Sequence, residues 1–152
     1  MKRRILVAAI LAALLAVGAF VIVIALWPQS APAAGETPVS VSGGTYADIT
    51  PQRLAEMLAT PGQDFVLINT HIPYEGEIEA TDDFIPYDQI GQALDRLPAD
   101  KSARIVLYCR SGNMSTTASK TLVQLGYTNV SNLAGGMNAW REAGFALIKD
   151  GG

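Results

Sequence analysis

The residues with the clearest chemistry are Cys109-Arg110-Ser111-Gly112-Asn113-Met114-Ser115, which open on the one cysteine of the chain. The apolar run Ile105-Val106-Leu107-Tyr108 leads in, and a helix-like run from Thr116 to Leu125 leads out. That order predicts a strand, a tight loop and a helix, with a thiol at the mouth of the loop. Backbone N–H groups of a short curled loop can point inward as an anion nest, and the next helix adds the positive end of its dipole. Both would favour thiolate over thiol. Arg110 is expected to add a full positive charge and draw in an anion. Ser111 and Ser115 offer hydroxyls, and Gly112 lets the backbone turn with positive φ. These residue types predict a nucleophilic sulfur that meets a small anion.

The elements that would position this loop alternate along the chain. Thr45–Ile49 reads as a strand, and Thr50-Pro51 as an N-cap with proline in the first helical turn. Leu54, Met57 and Leu58 then follow at helical spacing to about Ala59. Phe65–Ile68 is a continuous apolar run of the buried, parallel-sheet type. Residues 73–83 show no period, and Phe84-Ile85 reads as a short strand. Tyr87, Ile90, Leu94 and Leu97 predict a helix over 86–97, closed by Pro98. A strand over 104–108 precedes the cysteine loop, and a helix over 115–125 ends at Gly126. A strand over 129–133, a helix over 137–142 opened by Gly135-Gly136, and a terminal strand over 145–148 complete the pattern. Alternating strands and helices imply an α/β fold, a mostly parallel central sheet with helices on both faces. Ligands of such sheets bind beyond the carboxyl ends of the strands, where the cysteine loop falls.

The N-terminal part differs in character. Residues 5–27 carry no charge and follow Lys2-Arg3-Arg4. As a helix they would span roughly 35 Å, enough for a bilayer core of about 30 Å. The run predicts one transmembrane signal anchor over 1–27, with the rest of the chain on the extracytoplasmic side, periplasmic or cell-surface. Cleavage near Ala31-Pro32-Ala33 would instead make it a signal peptide and the product secreted. The Pro/Ala/Ser-rich stretch 28–42 reads as a flexible linker, and 43–152 as the globular domain. Of 11 basic residues, 3 precede the run, so 8 face all 14 acids and the exported part carries −6. That balance argues against nucleic acid as a partner. A single cysteine cannot form an internal disulfide or a dithiol redox pair.

Three stretches together resemble the single-domain rhodanese-like sulfurtransferases. They are Ile105 through Asn113, the block Leu133-Ala134-Gly135-Gly136-Met137-Asn138-Ala139-Trp140 followed by Ala143-Gly144-Phe145, and Ile49-Thr50-Pro51 with Leu54 and Leu58. The resemblance implies a rhodanese-type activity, similar to thiosulfate:cyanide sulfurtransferase. By that resemblance Cys109 would take sulfane sulfur from thiosulfate or a persulfide or polysulfide donor and pass it to cyanide or a thiol. It implies substrate binding by Arg110, Ser111, Gly112, Asn113, Met114 and Ser115, no cofactor or metal, and a monomeric soluble domain. The chain departs from the family pattern where Asn69 and His71 replace the usual Asp and Arg, and where Glu77 replaces a His. Met114 stands where similar loops often carry Arg. Residues 75–88 hold Glu75, Glu77, Glu79, Asp82, Asp83 and Asp88 and no base, which reads as a solvated loop. Fewer cations predict weaker thiosulfate binding.

Other functions compete. A non-catalytic module of the same fold could carry persulfide or dock a partner in a sulfur pathway. A cysteine phosphatase needs arginine six residues after the cysteine, and that place holds Ser115. His71, the one histidine, reads as a locally bonded or packed side chain, and Tyr74 and Trp140 as packing residues.

Overall fold

The computed structural model of the protein describes residues 33–62 and 64–148. The predicted membrane segment over 1–27 and the start of the linker, 28–32, lie outside them. Among the described residues, no helix is long and apolar enough to cross a membrane.

The strands are β1 (Glu36–Val41), β2 (Gly44–Ile49), β3 (Val66–Asn69), β4 (Asp83–Phe84), β5 (Ile105–Tyr108) and β6 (Val130–Leu133). The helices are α1 (Pro51–Ala59), α2 (Asn113–Gln124) and α3 (Gly136–Glu142). The strands form one six-stranded sheet in the order β1-β2-β6-β5-β3-β4. Only β1 and β2 pair antiparallel; the other pairs are parallel.

Strand β5 shows how the sheet builds two cores. Successive side chains point to opposite faces. Ile105 and Leu107 pack with Ile68, Val130 and the α2 residues Ala118, Leu122 and Val123. Val106 and Tyr108 pack on the other face with Leu67, the α1 residues Leu54 and Met57, and the α3 residues Met137 and Trp140. All four β5 residues are fully buried. Helix α1 begins as its sequence dictates: the Thr50 side chain accepts a hydrogen bond from Arg53 N–H at 3.2 Å, and Pro51 occupies the first turn.

Several boundaries differ from the sequence reading. Residues 36–41, read as linker, form β1, closed onto β2 by a turn at Ser42-Gly43 in which Gly43 has φ +95°. An edge strand tolerates Pro38, and burial of only part of Val39 and Val41 against the core holds it. The helix expected over 86–97 is replaced by two 3₁₀ turns, Ile90–Gln92 and Leu94–Arg96. Its N–H groups reach back three residues: Gln92 to Gln89 O, Ala93 to Ile90 O and Arg96 to Ala93 O. Ile90 and Leu97 are buried while Leu94 faces solvent. Helix α2 starts at Asn113, two residues before its expected start, which shortens the cysteine loop. The expected terminal strand reduces to one bridge, Ile148 to Glu77. The acidic connection is not simply solvated: the Asp82 carboxylate accepts Leu67 N–H at 2.8 Å, and Asp83 pairs with Arg96.

Tyr108 ties this connection to β5. Its hydroxyl accepts Ile78 N–H at 3.1 Å and shares a hydrogen bond with Thr81 Oγ1 at 2.7 Å. Burial pushes the phenol up to about 12 from its ordinary 10.0, against the smaller downward pull of those hydrogen bonds. The folded state therefore holds the phenol proton more tightly than the unfolded chain. The associated stability is complete below pH 10 and is lost as pH rises towards 12. Across that window wild type should lose about 2–3 kcal/mol more stability than Tyr108→Phe. Urea unfolding at stepped alkaline pH checks this, and parallel pH profiles for the two proteins would contradict it.

Candidate functional site

The site forms where β5, β3 and β6 end at the same edge of the sheet. Cys109 follows β5 directly, and Gly112, with φ +93°, serves as the N-cap of α2. Glycine has no side chain to occupy the first N–H groups of the helix, and no side-chain cap is formed there. The Gly112 N–H instead points at Cys109 Sγ, 3.1 Å away. Ser115 Oγ lies 3.5 Å from the same sulfur and 3.1 Å from Gly112 O, so one hydroxyl proton serves two acceptors. The sulfur thus meets a peptide N–H, a hydroxyl and the positive end of a helix dipole.

Three carbonyls on the outer side of the loop are held in turn. Thr70 donates to Tyr108 O through both N–H (2.8 Å) and Oγ1 (2.9 Å). Met137 N–H donates to Cys109 O at 2.8 Å, and Asn138 N–H to Arg110 O at 2.9 Å. The first N–H groups of a helix have no partner within it, and in α3 the cysteine loop supplies two of the acceptors. Gly136 makes this approach possible. A Cβ there would stand 2.1 Å from Cys109 O, and its φ is +57°. Trp140 anchors α3 from behind, donating Nε1–H to Ala146 O at 2.9 Å and stacking on Phe145 at 4.4 Å.

The structure brings together some of the residues named from the sequence. Gly112 and Ser115 contact the sulfur, and both are buried. Cys109 itself is only 1% exposed, recessed below a mouth formed by exposed Arg110, Ser111 and Asn113 and half-buried Met114. Arg110 does not stand alone: its Nη1 donates to Glu75 Oε1 at 3.0 Å and to Oε2 at 3.2 Å. His71 is buried, with Nε2 3.4 Å from Glu75 Oε2, an ion-pair distance without a directed hydrogen bond. Asn69 supports this turn by donating Nδ2–H to Gly76 O and accepting His71 N–H on Oδ1, both at 3.0 Å. A carboxylate at 69 could not donate, which gives the replacement of Asp by Asn a physical role. Tyr74 packs edge-on against Phe84.

Sequence reasoning missed Thr70, the backbone of Met137 and Asn138, and Glu75. Met137 and Asn138 act through main-chain geometry that no residue type announces, and Thr70 through its N–H and its hydroxyl together. Glu75 was one acid among several, and only folding sets it opposite Arg110.

Fold and site define an α/β protein that presents a recessed thiol at the N-terminus of a helix, beyond a central parallel strand. The model of the rhodanese-like domain matches residues 50–143, and the chain belongs to that family. A sulfurtransferase of Allochromatium vinosum is 32% identical over 103 residues, covering 66% of this chain and 94% of that protein. The probable adenylyltransferase/sulfurtransferase MoeZ of Mycobacterium tuberculosis is 35% identical over 98 residues, covering 62% of this chain. The match spans only 24% of that much longer protein. The crystal structure of a rhodanese-related protein from Thermoplasma volcanium superposes with a TM-score of 0.56 at 25% identity, covering 66% of this chain and 96% of that one. At family level these relatives support a sulfurtransferase-like enzyme.

The clamp between α3 and the loop leads to a stability test. Gly136→Ala should cost about 3 kcal/mol or more, from a backbone clash added to the left-handed φ. Gly144→Ala is the control: it has a similar positive φ of +91° but nothing within 4 Å of the new Cβ. It should cost only about 1–2 kcal/mol. Urea denaturation of both variants checks the difference, and equal losses would remove the clamp from the account.

Proposed function

We propose that the protein is a sulfurtransferase that carries sulfane sulfur as a persulfide on Cys109. The observation that carries this reading is the Gly112 N–H aimed at Cys109 Sγ from 3.1 Å, at the uncapped start of a 12-residue helix. A sulfur anion in that place is stabilised by peptide dipoles without a partner cation. The same nest accepts a second sulfur atom once the persulfide forms, with backbone groups of residues 110–115 around it.

In the first step the Cys109 thiolate attacks the outer sulfur of thiosulfate. The new S–S bond forms as the old one breaks, and sulfite leaves with the bonding pair. In the second, an acceptor such as cyanide attacks the terminal sulfur, thiocyanate leaves, and the thiolate is restored. A persulfide or polysulfide donor and a thiol acceptor follow the same scheme. Two partial transfers replace one difficult encounter of donor and acceptor. Family membership and relatives named sulfurtransferase support this class of chemistry.

The uncharged run over residues 5–27 behind Lys2-Arg3-Arg4 supports tethering at a membrane, with the domain on the extracytoplasmic side. The recessed position of Cys109 favours one second reading, a module that holds persulfide for a docked partner without turning over small molecules. Turnover separates the two.

Cys109→Ser should reduce thiocyanate formation from thiosulfate and cyanide by more than about a thousandfold. It should leave unfolding within about 1 kcal/mol, because a serine hydroxyl can still accept Gly112 N–H. Intact-mass analysis after exposure to donor should show one added sulfur atom on wild type and none on the variant. Absence of that mass gain with thiosulfate, polysulfide and glutathione persulfide alike would sink the proposal.

A further inference from the structure

Arg110 is the cation through which a dianion would be drawn to the loop, yet both carboxylate oxygens of Glu75 lie against its Nη1. Glu75 is not a loose surface acid. It sits on a frame fixed by Asn69, which is fully buried and binds the backbone at both ends of the 71–76 turn. His71, 4% exposed, places Nε2 3.4 Å from Oε2 of the same carboxylate. The Glu75 side chain is itself 38% exposed and that of Arg110 53%. Arg110 adjoins Cys109 in the chain, so the partly solvated pair sets the charge beside the loop that holds the recessed sulfur. To first order the two charges cancel. Glu77 and Glu79 follow within four residues, and no base intervenes.

We propose that Glu75 is a specificity-determining residue: by neutralising Arg110 it biases the site against the thiosulfate dianion and towards sulfur borne on an organic thiol, R–S–SH. This rests on the sulfurtransferase reading and names its donor class. The Cys109 thiolate attacks the outer sulfur of R–S–SH, the S–S bond breaks, and R–S⁻ leaves with the bonding pair. The proton stays on the new Cys109 persulfide. One negative charge enters the step and one leaves it. Thiosulfate, by contrast, must bring two negative charges past Glu75 and release sulfite by the same route.

The test compares two donors on the full-length chain: thiosulfate, and the persulfide of N-acetylcysteamine, whose organic part is uncharged. Glu75→Gln should raise the ratio of kcat/KM for thiosulfate to that for the persulfide about five- to tenfold, chiefly through KM for thiosulfate. Adding Arg110→Ala to that variant should remove the gain, because the freed cation causes it. In the unmodified chain, thiosulfate KM should not rise with ionic strength. A ratio within about twofold of wild type, with Cys109 still gaining sulfur by mass, would overturn the role of Glu75 alone. A steep salt-dependent rise of KM in wild type would do the same, since it would show Arg110 acting as an open cation. Failure of wild-type Cys109 to gain sulfur from either donor would overturn the sulfurtransferase reading, and this inference with it.

Discussion

The structure turns on the fixing of three successive carbonyls, those of Tyr108, Cys109 and Arg110, by donors from elsewhere in the chain. Thr70 at the end of β3 holds the first, and Met137 and Asn138 at the start of α3 hold the other two. A peptide unit whose carbonyl is held on one side presents its N–H on the other. The three held units carry the N–H groups of Cys109, Arg110 and Ser111, and the next unit, at the uncapped start of α2, carries the Gly112 N–H that points at the sulfur. That constraint also explains why β3, β5 and β6 must pair in register. Asn69 lies opposite Tyr108, and Leu107 opposite Asn132, so the segments that leave these strands meet around the loop. Gly136 is the point of closest approach, where even a methyl group would occupy the space of the Cys109 carbonyl.

The electrostatics follow from the same arrangement. Around the sulfur the positive potential comes from backbone dipoles and a helix terminus. Such partial charges are fixed in direction and remain when side chains move. Arg110, the cation in the loop itself, is matched by Glu75; Arg141, which lines a cleft with Glu75, donates to Asn138 Oδ1, and the supporting residues Asn69 and Thr70 are neutral hydrogen-bonding groups. A surface pair of this kind adds little to stability, about 0–1 kcal/mol. Its consequence lies in the field met at the mouth. The site is thus divided: a buried sulfur among backbone dipoles, and a charge-matched pair at the surface beside it.

Much of this was legible in the sequence because it depends on local pattern. The apolar run into Cys109, the glycine after it, the Gly-Gly-Met-x-Ala-Trp block and the alternating elements placed the loop, the mostly parallel sheet and the helices on both faces. What escaped depends on contacts remote in the chain. Residues 36–41 carry linker composition, including Pro38, and become a strand only because β2 offers its edge. Ile90, Leu94 and Leu97 fit a helical period, but the backbone closes i to i−3 there, and a stripe so short does not separate the two geometries. Glu75 and Arg110 are 35 positions apart, and nothing in either neighbourhood marks them as partners.

Location and chemistry, not volume, decide where function sits on this fold. A cleft of about 610 Å³ opens among Asp64, Val66, Asp100, Ser102, Arg104 and Asn129, at the amino ends of β3, β5 and β6. Its polar groups largely satisfy one another: Asp100 accepts from the N–H and hydroxyl of Ser102, and Asn129 donates to Ser102 O. Those hydrogen bonds hold the Asp100 carboxyl below its ordinary range. Among the described residues no cysteine lines the cleft, and its one hydroxyl, that of Ser102, is bonded to Asp100. At the opposite edge a thiol, a helix N-terminus and a clamped loop meet, where parallel sheets place their ligands. Cys109 is only 1% exposed there, and its sulfur is met by Gly112 N–H and Ser115 Oγ.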